Sequence, residues 1–346
     1  MSGPTRAAKH GAVLVISLDF ELHWGVRDVS TVADYRENLL GVRRAIPAML
    51  DVFARYDLNA TWATVGFLFC RTREELLRSL PAVRPRYQDR RLSPYEDLAN
   101  IGANEAADPF HFAPSLIELI RNSRGQEIGT HTLSHYYCLE PEQDVNSFRA
   151  DLEAARTIAD RAGIELRSLV FPRNQFAPEY LKACRDAGIV CYRGNQNSWL
   201  YSPAVGSETA VRRIARLLDA YINVSGHHTF LADAAQLPLN LPASRFLRPY
   251  SRRLRFLEPL RAQRIKAGLR YAAERDEVFH LWWHPHNFGR DLEQNIAVLT
   301  ETAECFSRLR ASHGMRSLNM GELAGEVLGL EVENAAEQGC AAGRAR

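Results

Sequence analysis

Four short stretches of this chain carry side chains that could bind an ion or move a proton. The first is His131-Thr132-Leu133-Ser134-His135. Two imidazoles four positions apart, on one helical face or flanking a tight turn, can reach a single divalent ion. Such a pair is common by chance, but here it follows Glu127-Ile128-Gly129-Thr130, which reads as a strand running into a loop. α/β folds place their ligands at such strand ends. The second stretch is Asp19-Phe20-Glu21, two carboxylates closing an apolar run. In an extended chain the two point to the same side. A helix cap or a surface ion pair would use the same residues. Beside two histidines, an acidic oxygen would complete a His-His-carboxylate set that leaves positions open for water and substrate.

The third stretch is His280-Leu281-Trp282-Trp283-His284-Pro285-His286-Asn287. A strand here delivers His284 at its end, and Pro285 stops the ladder. A histidine satisfied by a backbone carbonyl is the plainer reading of any one of these rings. Trp282 and Trp283 face opposite sides of the strand, so one belongs to the core and the other can stack on a sugar ring. We assign the stacking role to Trp283, and His286 to the same pocket. The fourth is Val170-Phe171-Pro172-Arg173-Asn174, again past a strand, where a guanidinium and an amide could hold a substrate oxygen or steady a carboxylate; a solvent-facing arginine is the alternative.

The elements needed to position these residues are legible in the pattern. Val13 to Leu18 is an apolar run, mostly β-branched, typical of a buried parallel strand. Residues 38–56 place Leu39, Val42, Ile46, Leu50 and Phe53 at helical spacing. Strand character returns at 59–69, 127–130, 168–171, 189–192, 278–283 and 316–320. Helices are expected at 114–122, 144–162, 178–187 and 292–309. Strand-then-helix units with short connections predict a parallel sheet closed by helices, a distorted or incomplete (β/α) barrel, with a doubly wound open sheet as the alternative. Residues 81–112, with four prolines and little periodicity, read as an insertion. We expect one domain over residues 1–332, a second insertion at about 225–275, and a disordered tail at 333–346.

Composition excludes some classes. The 346 residues are 46% hydrophobic and 24% charged with a net charge of +2, so no global field points to nucleic acid. Six cysteines, none in a C-x-x-C pair, suggest neither a zinc knuckle nor a disulfide framework. Scattered thiols fit a reducing compartment. The apolar run near the N-terminus is too short to span a membrane and ends in acids, so a cytoplasmic protein is expected.

Taken together and in order, the segments from about Val13 to about Asn287 resemble the NodB-homology polysaccharide deacetylases. His131, Thr132 and His135 match that family's H-[ST]-x-x-H element, and the apolar strand into His284-Pro285 matches its late motif. Two departures stand out. The first motif reads Ser17-Leu18-Asp19-Phe20-Glu21 and is similar to a D-x-E branch rather than to adjacent aspartates. In the third motif Val170 stands where the family usually has Arg, and Arg173 follows the proline. The resemblance implies a divalent ion, usually zinc, and hydrolysis of an N-acyl group on a sugar. It gives Glu21, His131 and His135 as ligands, Asp19 as base and His284 as acid, with the two acidic roles open to exchange. An allantoinase-like cyclic amide hydrolase of the same fold and an inactive carbohydrate-binding relative are the competing readings. The presence of Asp19, His131 and His135 weighs against both.

Residues 245–275 hold ten Lys or Arg against two Glu. They read as a solvated helical face, as a clamp for a phosphate or acidic sugar, or as a contact with anionic lipid. The last two would suit a nucleotide- or lipid-linked substrate.

Overall fold

A computed structural model describes residues 10–201, 209–234 and 236–330. The expected tail at 333–346 lies outside the described residues. The chain alternates strands and helices: β1 (Val13–Phe20), α1 (Arg36–Tyr56), β2 (Ala60–Thr64), α2 (Arg73–Arg78), α3 (Pro114–Arg121), β3 (Gln126–Thr130), α4 (Val145–Arg161), β4 (Ser168–Val170), α5 (Pro178–Asp186), β5 (Cys191–Arg193), α6 (Ala210–Asp219), β6 (Leu239–Asn240), β7 (Arg245–Phe246), α7 (Glu258–Ala273), β8 (Val278–Trp283), α8 (Leu292–His313), β9 (Arg316–Leu318) and α9 (Met320–Leu328). The strand order is β6-β5-β4-β3-β2-β1-β8-β7, and every strand pair is parallel. β9 pairs with the first half of β1, below the point where β2 joins it.

The curl of this sheet is completed by one segment. The amides of Leu239, Leu241 and Ala243 donate to carbonyls along β5 and just beyond it, and those of Ser244 and Leu247 donate to carbonyls of β8. The same short stretch therefore joins one margin of the sheet and then the other. The result is the distorted, incomplete (β/α) barrel the sequence predicts. The 225–275 region, expected as an insertion, supplies this bridging segment and α7, so part of it is framework.

Parity along β1 explains how a barrel core becomes a polar site. All eight β1 residues are buried. Leu14, Ile16, Leu18 and Phe20 face the surrounding helices, in a cluster with Val42, Ile46, Met49 and Phe53 of α1. Val13 and Val15 face the barrel interior, with Ala63, Val170, Cys191 and Val278. The bottom is closed by Met320, Leu323 and Ala324 of α9. Above this apolar plug the same inward face of β1 presents Ser17 and then Asp19, because side chains alternate along a strand. Among the described residues no helix is long and apolar enough to cross a membrane.

The expected strand at 59–69 is shorter than its pattern: β2 ends at Thr64 and residues 66–69 turn into a 3-10 helix. The insertion at 81–112 contains only 3-10 turns, at Arg90–Leu92 and Pro94–Glu96. It is nonetheless fastened down. Its end holds Asp108, whose carboxylate faces His111 Nδ1 at 2.8 Å, while His111 Nε2 lies 3.0 Å from His23 Nδ1.

α6 is tied to the barrel by a buried carboxylate. Asp219 pairs with Arg245 at 2.5 Å and accepts from the hydroxyls of Tyr201 (2.6 Å) and Ser225 (2.7 Å). Burial pushes the Asp219 carboxyl up, but Arg245 and the two hydroxyls hold it below the ordinary carboxylate range. A depressed folded pKa contributes stability above the unfolded value, and that contribution fades as pH falls through it. Asp219→Asn, which leaves Arg245 buried without its anion, is expected to cost about 3–5 kcal/mol at pH 7. In urea unfolding the gap between wild type and variant should narrow by about 1 kcal/mol at pH 3. A gap that stays constant from pH 7 to pH 3 would contradict the ion-pair account.

Candidate functional site

Glu21 directly follows β1, His131 directly follows β3, and both lie at the C-terminal rim of the barrel. His131 and His135 do not share a helical face. The chain turns back on itself because Thr132 and His135 both adopt left-handed backbone conformations, at φ 64° and 61°. Such conformations cost roughly 1–3 kcal/mol each in residues with a Cβ. They are held by neighbours on every side. The Thr132 hydroxyl accepts from the Tyr136 amide (2.7 Å), and the Thr132 carbonyl accepts from the Gly66 amide (2.9 Å). Asp151 of α4 accepts from the Leu133 amide (2.7 Å) and from the Ser134 hydroxyl.

The turn brings both imidazoles onto one carboxylate oxygen. Glu21 Oε2 lies 3.3 Å from His131 Nε2 and 3.1 Å from His135 Nε2. All three residues are buried, and their ligand atoms lie within 4.8 Å of one another. His131 Nδ1 donates to the Val170 carbonyl at 2.7 Å, which turns Nε2 toward the site. Burial drives His135 down to about 4 against the pull of Glu21, so its ring is neutral, as a ligand must be. Burial pushes Glu21 up, but His284, His131 and His135 draw it well below the carboxylate range. Two imidazole nitrogens and one carboxylate oxygen are a fitting donor set for a zinc-like ion. Gly25 is part of this geometry. A Cβ there would meet the Glu21 carboxylate at 2.0–2.3 Å, so the close approach of the backbone requires glycine.

Asp19 sits on a different partner. Arg193, at the end of β5, forms a two-pronged pair with it, at 2.6 Å and 2.7 Å. Both side chains are buried. Burial raises the Asp19 carboxyl, yet Arg193, aided by His131 and His284, holds it below its ordinary value. Arg193 also donates to Ser17 Oγ and Asn174 Oδ1 at 3.1 Å each and lies over the Trp282 ring at 4.1 Å. The sequence reading missed Arg193. Its only local signal was a charged residue ending a short apolar strand.

His284 Nε2 stands 3.7 Å from Asp19 Oδ2 and 3.6 Å from Glu21 Oε1, and it is the most open side chain of the group at 24% exposure. Asn174 lines an adjoining cavity, as does Arg173. Arg173 does not steady Asp19. Its left-handed backbone (φ 53°) turns it to Asp28, to Glu140 and over the Tyr137 ring at 4.4 Å.

One substrate assignment needs correction. Trp283 is fully buried, stacked on Phe288 at 5.7 Å and edge-on to Phe53, so it is core. Strand parity gives the inward position to Trp282, which lines the cavity. His286 is also buried, stacked on His284 at 5.0 Å, with Nδ1 3.9 Å from Glu21. It lies beside Glu21 and His284, behind the more open His284 ring. His280 is satisfied by the Leu241 carbonyl and Ser17 Oγ.

No family model and no curated protein matches this chain. Solved structures do. One from Mycobacterium smegmatis, named as a candidate polysaccharide deacetylase, aligns over 95% of this chain and 96% of its own at 14% identity, with a TM-score of 0.60. Another from Pseudomonas aeruginosa PAO1, also named as a candidate polysaccharide deacetylase, aligns over 91% and 89% at 12% identity, with a TM-score of 0.50. The 4-alpha-glucanotransferase from Thermococcus litoralis matches 93% of this chain but only 41% of its own length, at 12% identity and a TM-score of 0.51. At these identities the likeness is one of fold, the barrel type the sequence resemblance implies.

The Asp19–Arg193 pair makes a direct prediction. Removing one partner strands the other charge in the barrel, so Arg193→Gln should cost about 3–5 kcal/mol in urea unfolding. Adding Asp19→Asn should restore much of that loss, because the amides leave no uncompensated charge. Additive losses in the double variant would refute the pairing as the source of stability.

Proposed function

We propose that this chain is a metal-dependent hydrolase that removes an N-acyl group, preferably acetyl, from a sugar in surface-polysaccharide or glycoconjugate biosynthesis. The observation that carries the reading is the Glu21 carboxylate set between His131 and His135, with Asp19 and His284 within reach of it. The fold shared with structures named as deacetylases supports it. Zinc is our choice of ion, because the nitrogen and oxygen donors suit it. We further propose a cytoplasmic location, for which the free buried cysteines speak, and a sugar carried on a nucleotide or lipid.

An ion bound by Glu21, His131 and His135 would supply Lewis acidity toward the acyl oxygen and make an attacking water more acidic. The chain's own groups do the rest. Asp19 accepts the proton of that water, and Arg193 fixes the carboxylate that receives it. His284, on the open side of the pair, delivers a proton to the departing amine nitrogen. Trp282 and Phe246, in contact at 4.6 Å, wall the approach and keep water from the leaving group's side.

Three measurements test this. Purified protein should bind about one equivalent of divalent ion by mass spectrometry, and His131→Ala and His135→Ala should lose most of it; full metal content in both would sink the site. Gly25→Ala should push the Glu21 carboxylate aside and weaken metal affinity roughly 10–100-fold with the fold intact. Asp19→Asn and His284→Ala should each lower kcat for acetate release by about 10²–10⁴-fold while the metal is retained. Loss of metal in Asp19→Asn, with retention in Glu21→Gln, would exchange the two acidic roles.

A further inference from the structure

The arginines of the 245–275 segment do not act together. Arg252 pairs with Asp291 at the surface, Arg261 pairs with Glu258, and Arg264 lies on the Gly226 carbonyl and beside Asp219. Arg245 is neutralised by Asp219. Arg248 differs from all of these. Arg248 lines a cavity of about 290 Å³ at the strand ends, walled also by Arg173, Asn195, Tyr201, Arg216 and Trp282. Among the described residues no carboxylate pairs with Arg248; its charged neighbours are other cations, Arg216 and Arg261, and two tyrosines. Burial pushes its guanidinium down from the usual value, with no carboxylate partner to offset the cost.

We propose that this cavity is a subsite for a phosphate ester carried by the sugar substrate, with Arg248 as its main ligand. The assignment rests on the deacetylase reading and deepens it by naming the substrate class. An arginine at a cavity with no carboxylate beside it among the described residues favours a multiply charged, tetrahedral oxyanion, to which arginine donates in pairs. The position is right for a group on the same sugar. Trp282 and Phe246 line the cavity, and their ring centres lie 5.6 Å and 5.9 Å from that of His284. A sugar ring resting on them would bridge the cavity and the metal centre. The volume lies at the lower end of ligand sites, typically about 300–1,000 Å³, and suits one sugar and one phosphate better than a run of polymer. The phosphate could belong to a nucleotide or to a lipid carrier. The second source has a surface to match: α6, which supplies Arg216, exposes Val211, Ile214 and Leu218 by 73%, 59% and 50% on its outer side.

The test uses the full chain, stripped of metal so that phosphate cannot ligate an ion. Calorimetric titration should show N-acetylglucosamine 1-phosphate binding about 10–100-fold tighter than N-acetylglucosamine, with inorganic phosphate competing. Arg248→Gln should abolish that preference and leave the weak binding of the neutral sugar unchanged. Thermal unfolding verifies that the variant is folded; if it is not, Arg248→Lys, which keeps the charge but not the fork, should show a reduced preference. Equal affinities for the two sugars, or a preference that survives in the folded variant, would overturn the subsite. Acetate release by zinc-loaded protein separates the two claims. Phosphate-dependent binding without release from any substrate would remove the deacetylase reading and keep the subsite. Release from neutral and phosphorylated sugars at equal kcat/KM would do the reverse. Comparing a UDP-linked sugar with an alkyl-phosphate sugar in phosphatidylcholine vesicles identifies the carrier: a higher kcat/KM for either supports the subsite, and no advantage of either over the neutral sugar counts against it.

Discussion

Asp19 stands at the end of a strand that is buried along its whole length, and a carboxylate in that position is tolerable only against a cation. Arg193 is that cation, and much of the barrel's upper layer follows from its reach across the interior from β5 to β1. The same guanidinium touches Ser17, Asn174 and the face of Trp282, so strands β1 and β8 and the turn after β4 are referred to one charge. Below this layer the interior is apolar and closed by α9. The polar chemistry is thereby confined to one end of the barrel.

The second constraint is the turn at 131–135. Its two left-handed residues would relax if the segment were alone. Amides of Leu133 and Tyr136, the carbonyl of Thr132, and the side chains of Thr132 and Ser134 are all engaged, so relaxation would break several hydrogen bonds at once. Backbone strain is here exchanged for convergence of two imidazoles on one carboxylate. Gly25 contributes from the opposite side, since its missing Cβ gives the Glu21 carboxylate its place.

Much of this was legible in the sequence, for reasons that also explain the gaps. β1, α1, α4, β8 and α8 have long or strongly periodic patterns, and their positions follow from burial alone. The candidate ligands were visible because Glu21 and His131 each follow a strand of a parallel sheet and His135 lies four positions past His131. Arg193 was not, because its partner is 174 positions away and only barrel closure makes them neighbours. Arg173 looked the better candidate from its place after Pro172, but a left-handed backbone turns it outward, and nothing in the residue type announces that. The choice between Trp282 and Trp283 depends on strand parity, which fixes that they differ but not which faces in. The neighbouring register of Ser17 with Trp282 settles it. α6, α7 and the two-residue strands β6 and β7 were missed for another reason. The strands are too short to show a period, and burial in the helices departs from the usual rule: α6 exposes Val211, Ile214 and Leu218, while α7 buries Arg261 and Arg264.

The two halves of the site are built on different kinds of backbone. Glu21, Asp19, His131 and His284 sit at or just past the ends of β1, β3 and β8, and Arg193 ends β5; these strands are held by parallel ladders on both sides. The cavity is built from the turn after β5, the outer helix α6 and the two-residue strand β7, elements with little ladder of their own. Charge follows the same division. Among Asp19, Glu21, Arg193 and the histidines beside them, each buried charge meets an opposite charge or a ring nitrogen. In the cavity, Arg173 and Arg245 are answered by carboxylates while Arg248 is not. A reaction centre must hold its geometry to fractions of an ångström, whereas a recognition subsite must change with the substrate. Under the proposed function, placing the one on strand ends and the other on short, loosely paired segments would let substrate choice vary without disturbing the layer that Asp19 and Arg193 hold together.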